Sequence, residues 1–284
     1  MPPTAFFLVL IAAIAHSTWN LLAKRAAHCR HLPWFSSLGA SVLLLPVAIW
    51  ILDQSHWALS RQGIACLIAT GILHLLYTES LLHGYRVGDL SLVYPLARGT
   101  GPLLTFVGAM LALGERPSRI ATLGALLVSC GIFVLSRAHS LTRHNARAGL
   151  MWGLLTGLTI ASYTLTDAYS VKVLLLSPIL VDCASNLFRA LALLPGTCMQ
   201  RGVMGELRQY WRESLGVSLL TPMAYLFVLF AMKLAPVSRV APVREMSVIM
   251  GAFLGTMLLR EGHALRRTIA AALIALGVVA LTLG

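Results

Sequence analysis

Eight charged side chains fall inside stretches that are otherwise apolar: Arg98, Arg189, Arg239 and Arg244 on the basic side, Glu79, Asp167, Asp182 and Glu245 on the acidic side. An ionisable group in hydrocarbon costs about 2.5–3.5 kcal/mol on insertion scales, so such groups face a wet cavity or one another. An arginine offers a planar fork of donors that fits a carboxylate, and an acidic side chain accepts from an amine. A balanced set of charges suits a zwitterionic ligand better than a strongly anionic one. Arg98 and Glu245 occupy equivalent positions in two related segments, VYPLARGTGPLLTFVG and VAPVREMSVIMGAFLG, and Arg244 precedes the acid. Two arrangements fit them: a pair that opens to take the carboxylate and amine of a substrate, or a permanent buried bridge that only fixes helix packing.

Polar residues at helical spacing extend this set. Ser17, Asn20 and Lys24 share a face, flanked by His16 and Trp19. Tyr163, Thr166 and Ser170 repeat that face with Asp167 beside them. Thr70, His74, Tyr77 and Thr78 form a third stripe, and Ser214, Ser218, Thr221 and Tyr225 a fourth. Tyr94, Arg98 and Thr105 form a fifth. Such stripes line a cavity or hydrogen-bond between helices. Glu79, His83 and Arg86 lie toward a helix end, where an interface role competes with a substrate role. Asp182 and Arg189 read as ion-pair partners of a neighbouring helix. The candidate substrate-binding set is His16, Trp19, Asn20, His74, Tyr77, Thr78, Tyr94, Arg98, Tyr163, Asp167, Tyr225, Arg244 and Glu245. Pro95, Gly99, Gly101, Pro102 and Pro242 are candidate helix breaks or hinges. His16, His74, Asp167 and Glu245 are the titratable groups available for proton coupling; exchange against a counter-substrate and uncoupled facilitation remain alternatives.

No catalytic residue, metal or cofactor is expected. The five cysteines, Cys29, Cys66, Cys130, Cys183 and Cys198, show no metal-ligand spacing, and HExxH, GxSxG, Walker A and GxGxxG are absent. Gly216-Val217-Ser218 is read as a small-residue packing site. The net charge of +12 does not indicate nucleic acid, because the basic residues sit mostly at the ends of apolar runs.

The elements that must position these groups follow from composition: 58% of the 284 residues are hydrophobic and 11% charged, which excludes a soluble globular surface. Apolar runs long enough to cross a bilayer are expected at 4–24, 34–52, 62–84, 89–112, 119–137, 148–171, 177–197, 214–233, 236–259 and 264–283. Tyr210 and Trp211, in the longest connection, suit a membrane interface. The connections after the odd-numbered spans hold 13 Lys and Arg, those after the even-numbered spans 5. That bias places the basic connections in the cytosol and both termini outside it. The N-terminus reads as the first span rather than a signal peptide.

The chain repeats itself at a shift of 146–147 residues: Ser91, Val93 and Pro95 face Ser238, Val240 and Pro242, Glu115 faces Glu261, and Gly131 faces Gly277. Five spans per half is an odd number, so the second half enters the membrane from the opposite side. GxxxG-like spacing at Gly251 and Gly255, and Gly124 with Gly131, allows close helix approach.

AHSTWNLLAKRA, YPLARGTGPLLTFVGAMLALGERPS and APVSRVAPVREMSVIMGAFLGTMLLREG resemble the two EamA domains of the drug/metabolite transporter superfamily, over nearly the whole chain. The resemblance implies an all-α integral membrane protein: ten transmembrane helices as two inverted five-helix repeats, 1–140 and 145–284, around a central cavity. It implies transport, often export, of a small metabolite such as an amino acid, with the last helix of each half as scaffold or dimer contact. The expected setting is a bacterial inner membrane, with a small-molecule substrate, a proton or counter-substrate and the lipid bilayer as partners, no nucleic acid, and a monomer or homodimer. The competing classes are an intramembrane enzyme acting on a lipid or isoprenoid carrier and a non-transporting partner subunit.

Overall fold

The computed structural model describes the chain except residues 27, 89, 136–145, 201 and 251–263. Among the described residues every regular element is helical: α1 Pro3–Arg25, α2 Leu32–Gln54, α3 Arg61–Val87, α4 Leu90–Ala112, α5 Arg119–Leu135, α6 Ala146–Lys172, α7 Pro178–Cys198, α8 Val203–Gln209, α9 Trp211–Leu234, α10 Val237–Val243 and α11 Ala264–Leu283. Six of these, α1, α2, α3, α6, α7 and α9, are long and apolar enough to cross a membrane; α5 and α11 carry shorter apolar stretches. The expected Gly251–Gly255 contact, Glu261 and the end of the 236–259 span lie outside the described residues.

Local chemistry starts and stops the helices. Ser60 Oγ accepts from Gly63 N–H at 3.0 Å and Ser118 Oγ from Ala121 N–H at 3.1 Å, which satisfies donors left open in a first turn. Prolines begin α1, α2 and α7, where a missing N–H costs nothing. Within the helices, Ser17, Ser41, Thr105 and Ser170 turn their hydroxyls back onto carbonyls one turn earlier, so no proton is stranded.

Packing follows an exchange of halves. α1 runs along α9 as α6 runs along α3, while α2 pairs with α7 and α5 with α11. The α5–α11 contact is made by glycines. A Cβ on Gly124 would lie 2.7 Å from the carbonyl oxygen of Gly277, one on Gly277 2.6 Å from that of Gly124, and one on Gly131 2.9 Å from that of Ala270. Gly124 and Ala270, and Gly131 and Gly277, are equivalent at a shift of 146. The two contacts are therefore copies of each other.

Two features depart from the sequence expectation. The backbone of α4 is helical from Leu90 to Ala112, straight through Pro95, Gly99, Gly101 and Pro102. Its glycines serve packing: a Cβ on Gly99 would meet the Phe133 ring at 2.7 Å and one on Gly101 would meet Ile160 at 2.8 Å. The break stands in the counterpart, where α10 ends at Val243, Arg244 and Glu245 form a turn, and helix resumes at 246. Pro242 supplies no N–H there, and Glu245, Ser247 and Val248 instead bond three residues back.

The second departure is α8, seven residues inside a connection read as loop, too short to register as an apolar run. Val203, Leu207 and Tyr210 pack on Ala26, Cys29 and Phe35. Glu206 accepts from the His31 backbone at 3.2 Å and lies 2.9 Å from His31 Nδ1. Burial alone would raise the Glu206 carboxyl, but the His31 and Cys29 hydrogen bonds outweigh it and hold the group below the usual carboxylate range. A depressed folded value means that the stabilisation is complete above the unfolded value of about 4.3 and is lost as pH falls through the folded value. The protection factors of amides 203–209, the exchange rate corrected for its intrinsic fall with pH, are accordingly expected to drop as pH goes from 5 to 3. Glu206→Gln should show the low protection throughout; a variant with wild-type protection at pH 5 would remove this account of the anchor.

Candidate functional site

A cavity of about 540 Å³ lies toward one end of the bundle. Its walls are the C-terminal halves of α1, α3 and α7 and the N-terminal halves of α2, α4 and α9, with Ile160 of α6 on its floor, so it sits at the end of the α1–α2, α3–α4 and α7–α9 connections. An inner chamber of about 130 Å³ continues from it and shares His16, Trp19, Tyr77, Arg98, Arg189 and Thr221. The opposite end is filled by the main apolar cluster, in which Val9 of α1, Leu229 and Met232 of α9, and Val237 and Val240 of α10 are fully or almost fully buried.

A polar clamp lies over that filled end. Glu115, after α4, accepts from the N–H groups of Val237 at 2.7 Å and Ser238 at 2.9 Å, the first residues of α10. A carboxylate at a helix N-terminus meets both free donors and the positive end of the dipole. Lys172 Nζ stands 3.4 Å from Glu115 and donates to the Ala235 carbonyl at 3.0 Å. Glu115 was legible only as a repeat position; its partners come from the other half of the chain.

The sequence-derived residues fall into three groups. His16, Trp19, Asn20, Tyr77, Thr78, Tyr94 and Arg98 line the larger chamber. His74, Tyr163, Tyr225 and Arg244 line the inner one. Asp167 and Glu245 are fully buried and stand behind the wall rather than on it.

Behind the inner chamber, Asp167 Oδ2 accepts from the Tyr225 hydroxyl and lies 3.2 Å from His74 Nε2. Asp167 Oδ1 has no protein hydrogen-bond partner. The His74 ring stacks on Tyr163 at 4.1 Å, and Tyr77 meets Tyr163 edge-on at 5.5 Å. This unit joins α3, α6 and α9, so the third, second and fourth polar stripes converge on one carboxylate.

At the helix break, Glu245 Oε2 lies 3.0 Å from Arg98 NH2, and its Oε1 lies 3.6 Å from Arg244 Nε. The Arg98 contact is an ion pair with poor hydrogen-bond direction; the same NH2 donates to Ser247 Oγ at 3.3 Å. Arg98 thus spans the break, holding a residue within the turn and one just past it.

Sequence reasoning placed Asp182 and Arg189 against a neighbouring helix. Both instead line the inner chamber, and the link between them runs along α7. Asn186 Nδ2 donates to Asp182 Oδ1 at 2.9 Å, and Asn186 Oδ1 accepts from Arg189 NH2 at 2.6 Å. The signal was available: 182, 186 and 189 share one helical face. Asn186 was overlooked because an uncharged amide carries no insertion penalty comparable with that of an ion. Glu79 is exposed, and His83 rests against Trp152 at 4.3 Å, away from the chambers. Ser218 is also a packing residue, donating to the Ser214 carbonyl at 2.7 Å and reaching the Phe35 carbonyl on α2 at 3.3 Å. Among the described residues no cluster of metal-ligating side chains occurs.

Comparison with known proteins agrees with this architecture. The model of the EamA-like transporter family matches residues 3–137 and again residues 147–283. No curated protein matches the chain. A solved structure described only as "Crystal structure of protein" superimposes with a TM-score of 0.79 at 16% identity, covering 100% of this chain and 98% of the other. That likeness speaks for the fold alone.

Proposed function

The chain belongs to the EamA-like transporter family and is a multi-pass membrane protein, and from that premise we propose that it exports a small zwitterionic, amino-acid-like metabolite by alternating access. The observation that carries this reading is the two-chambered cavity at one end of the bundle, lined by Arg98, Arg189, Arg244 and Asp182, with an apolar plug and the Glu115 clamp at the other. A cavity accessible from one side only is one of the two states that alternating access requires. Ten crossings in two inverted repeats, 1–140 and 145–284, fit the exchange of helix partners between halves and the paired α5–α11 contacts.

Direction is supported by charge. The connections after the odd-numbered spans, among them the three at the cavity mouth, hold 13 Lys and Arg in the sequence against 5 after the even-numbered spans. The positive-inside rule then puts the cavity mouth in the cytosol, as in a carrier loading for export from the bacterial inner membrane. Thermal-shift screening of the purified protein against amino acids, phosphonates, sugars and nucleotides, followed by flux of the hits in proteoliposomes, tests the substrate class. A stabilising, transported nucleotide or sugar with no response to any zwitterion would overturn it.

The clamp gives a test of alternating access itself. A carboxylate that accepts two backbone hydrogen bonds is worth about 1.5–3 kcal/mol per bond, so Glu115→Gln is expected to shift the balance at the plugged end by at least about tenfold toward opening. An Ala241→Cys reporter in a background without the five native cysteines should then react faster with a membrane-impermeant thiol reagent. Unchanged labelling would show that the clamp does not govern access.

A further inference from the structure

We propose that the two charged poles of the substrate are held by Asp182 and Arg189 of α7, and that Arg98 and Glu245 stay paired during binding. The proposal rests on the transporter reading above and names the site and class within it: an α-amino acid with an apolar side chain.

Glu245 is fully buried and held between two arginines, so an incoming amine has no path to it that avoids breaking both ion pairs. Asp182 and Arg189 differ in kind. Both line the inner chamber, and Asn186 bridges them without neutralising either. Asp182 Oδ2 and Arg189 Nε have no protein hydrogen-bond partner, and Asp182 is 98% buried, being 2% exposed. A buried charge with an open valence costs several kcal/mol unless a ligand or water meets it. Across the chamber, the Trp19 indole N–H of α1 and the Thr221 hydroxyl of α9 are also unpartnered. The free groups are therefore an acceptor for an ammonium and donors for a carboxylate, separated by two helical turns on one face.

Charge balance selects a zwitterion. Arg98, Arg189 and Arg244 stand in or beside the chambers against Asp167, Asp182 and Glu245, so a ligand with no net charge leaves the balance intact. The larger chamber sets what lies beyond the charged head. Leu81, Leu82, Ile160, Leu193 and Val217 form much of its wall, which rewards an apolar side chain by burying it.

The test uses the full-length protein in lipid nanodiscs and four probes: L-leucine, N-acetyl-leucine without the ammonium, 3-methylbutylamine without the carboxylate, and glycine without the side chain. Wild type should bind leucine at least about tenfold more tightly than each of the other three. Asp182→Asn should abolish the preference for leucine over N-acetyl-leucine, and Arg189→Gln its preference over 3-methylbutylamine. Asp182→Glu and Arg189→Lys, which keep the charges, should retain part of each preference and guard against variants that simply misfold. Absence of leucine binding to wild type, or unchanged preferences in folded Asp182→Asn and Arg189→Gln, overturns the proposal. Flux of a compound of another class through both neutral variants at the wild-type rate would overturn it while leaving transport itself standing. A protein that moves nothing across proteoliposomes would instead bring down the reading on which it rests.

Discussion

Glu245→Ala is expected to remove about 3–5 kcal/mol of stability, the cost of leaving a buried charge without its partner. The carboxylate is fully buried, 3.0 Å from Arg98 and 3.6 Å from Arg244. Without it, the Arg98 and Arg244 guanidinium groups lose the counter-charge that contacts them both, and no other ion pair to either is present among the described residues. The melting temperature in detergent should fall by many degrees, and Glu245→Gln should follow most of the way, because an amide does not neutralise the pair. Replacing Arg98, Arg244 and Glu245 together by methionine should recover much of the loss, since buried ionic groups are often replaceable by apolar ones of similar volume. This separates the two arrangements that the sequence leaves open. A Glu245→Gln protein with unchanged melting temperature and no transport would make the pair part of substrate handling rather than of the scaffold.

Gly277→Ala is expected to destabilise the α5–α11 seam by about 1–3 kcal/mol, as overpacking does where neighbours cannot retreat. Its new Cβ would lie 2.6 Å from the Gly124 carbonyl oxygen and 2.8 Å from Val128 N, both backbone atoms. Gly124→Ala meets the matching obstacle at 2.7 Å and should cost a similar amount. Gly196→Ala in α7, with nothing within 4 Å, is the control, and its melting temperature should hold or rise through the helix propensity of alanine. If all three variants melt alike, the seam is not closely packed in the membrane.

Much of the site was legible because insertion into hydrocarbon is selective. An arginine at 98 or an aspartate at 167 has to be explained by a partner or a cavity, and helical spacing then says which face carries it. Asp167, His74 and Tyr225 each stand out on a separate helix from residue type and spacing alone. Depth was not legible. Asp167 and Glu245 look like wall residues in the sequence, yet both stand behind the wall, because spacing gives the face of a helix and not its distance from the axis of the bundle. Proline content was misleading for the same reason. α4 holds more helix-breaking residues than its counterpart and stays helical, with its glycines accepting Phe133 and Ile160. The counterpart breaks at Arg244–Glu245, where Arg98 of α4 holds both Glu245 within the turn and Ser247 just past it.

By itself the sequence determined that this chain is helical, lives in a bilayer, is doubled and carries ions where ions are costly, since each of these follows from local composition, period and self-similarity. Only the tertiary structure decided which ions meet. Arg98 with Glu245, Glu115 with the start of α10, and Tyr225 and His74 with Asp167 are pairings across the chain, set by how helices of the two halves stack. It also decided which charges were left open at the cavity. Asp182 and Arg189 keep unpartnered atoms because Asn186 satisfies one side of each, and that balance depends on what the facing helices bring, which no spacing along α7 contains.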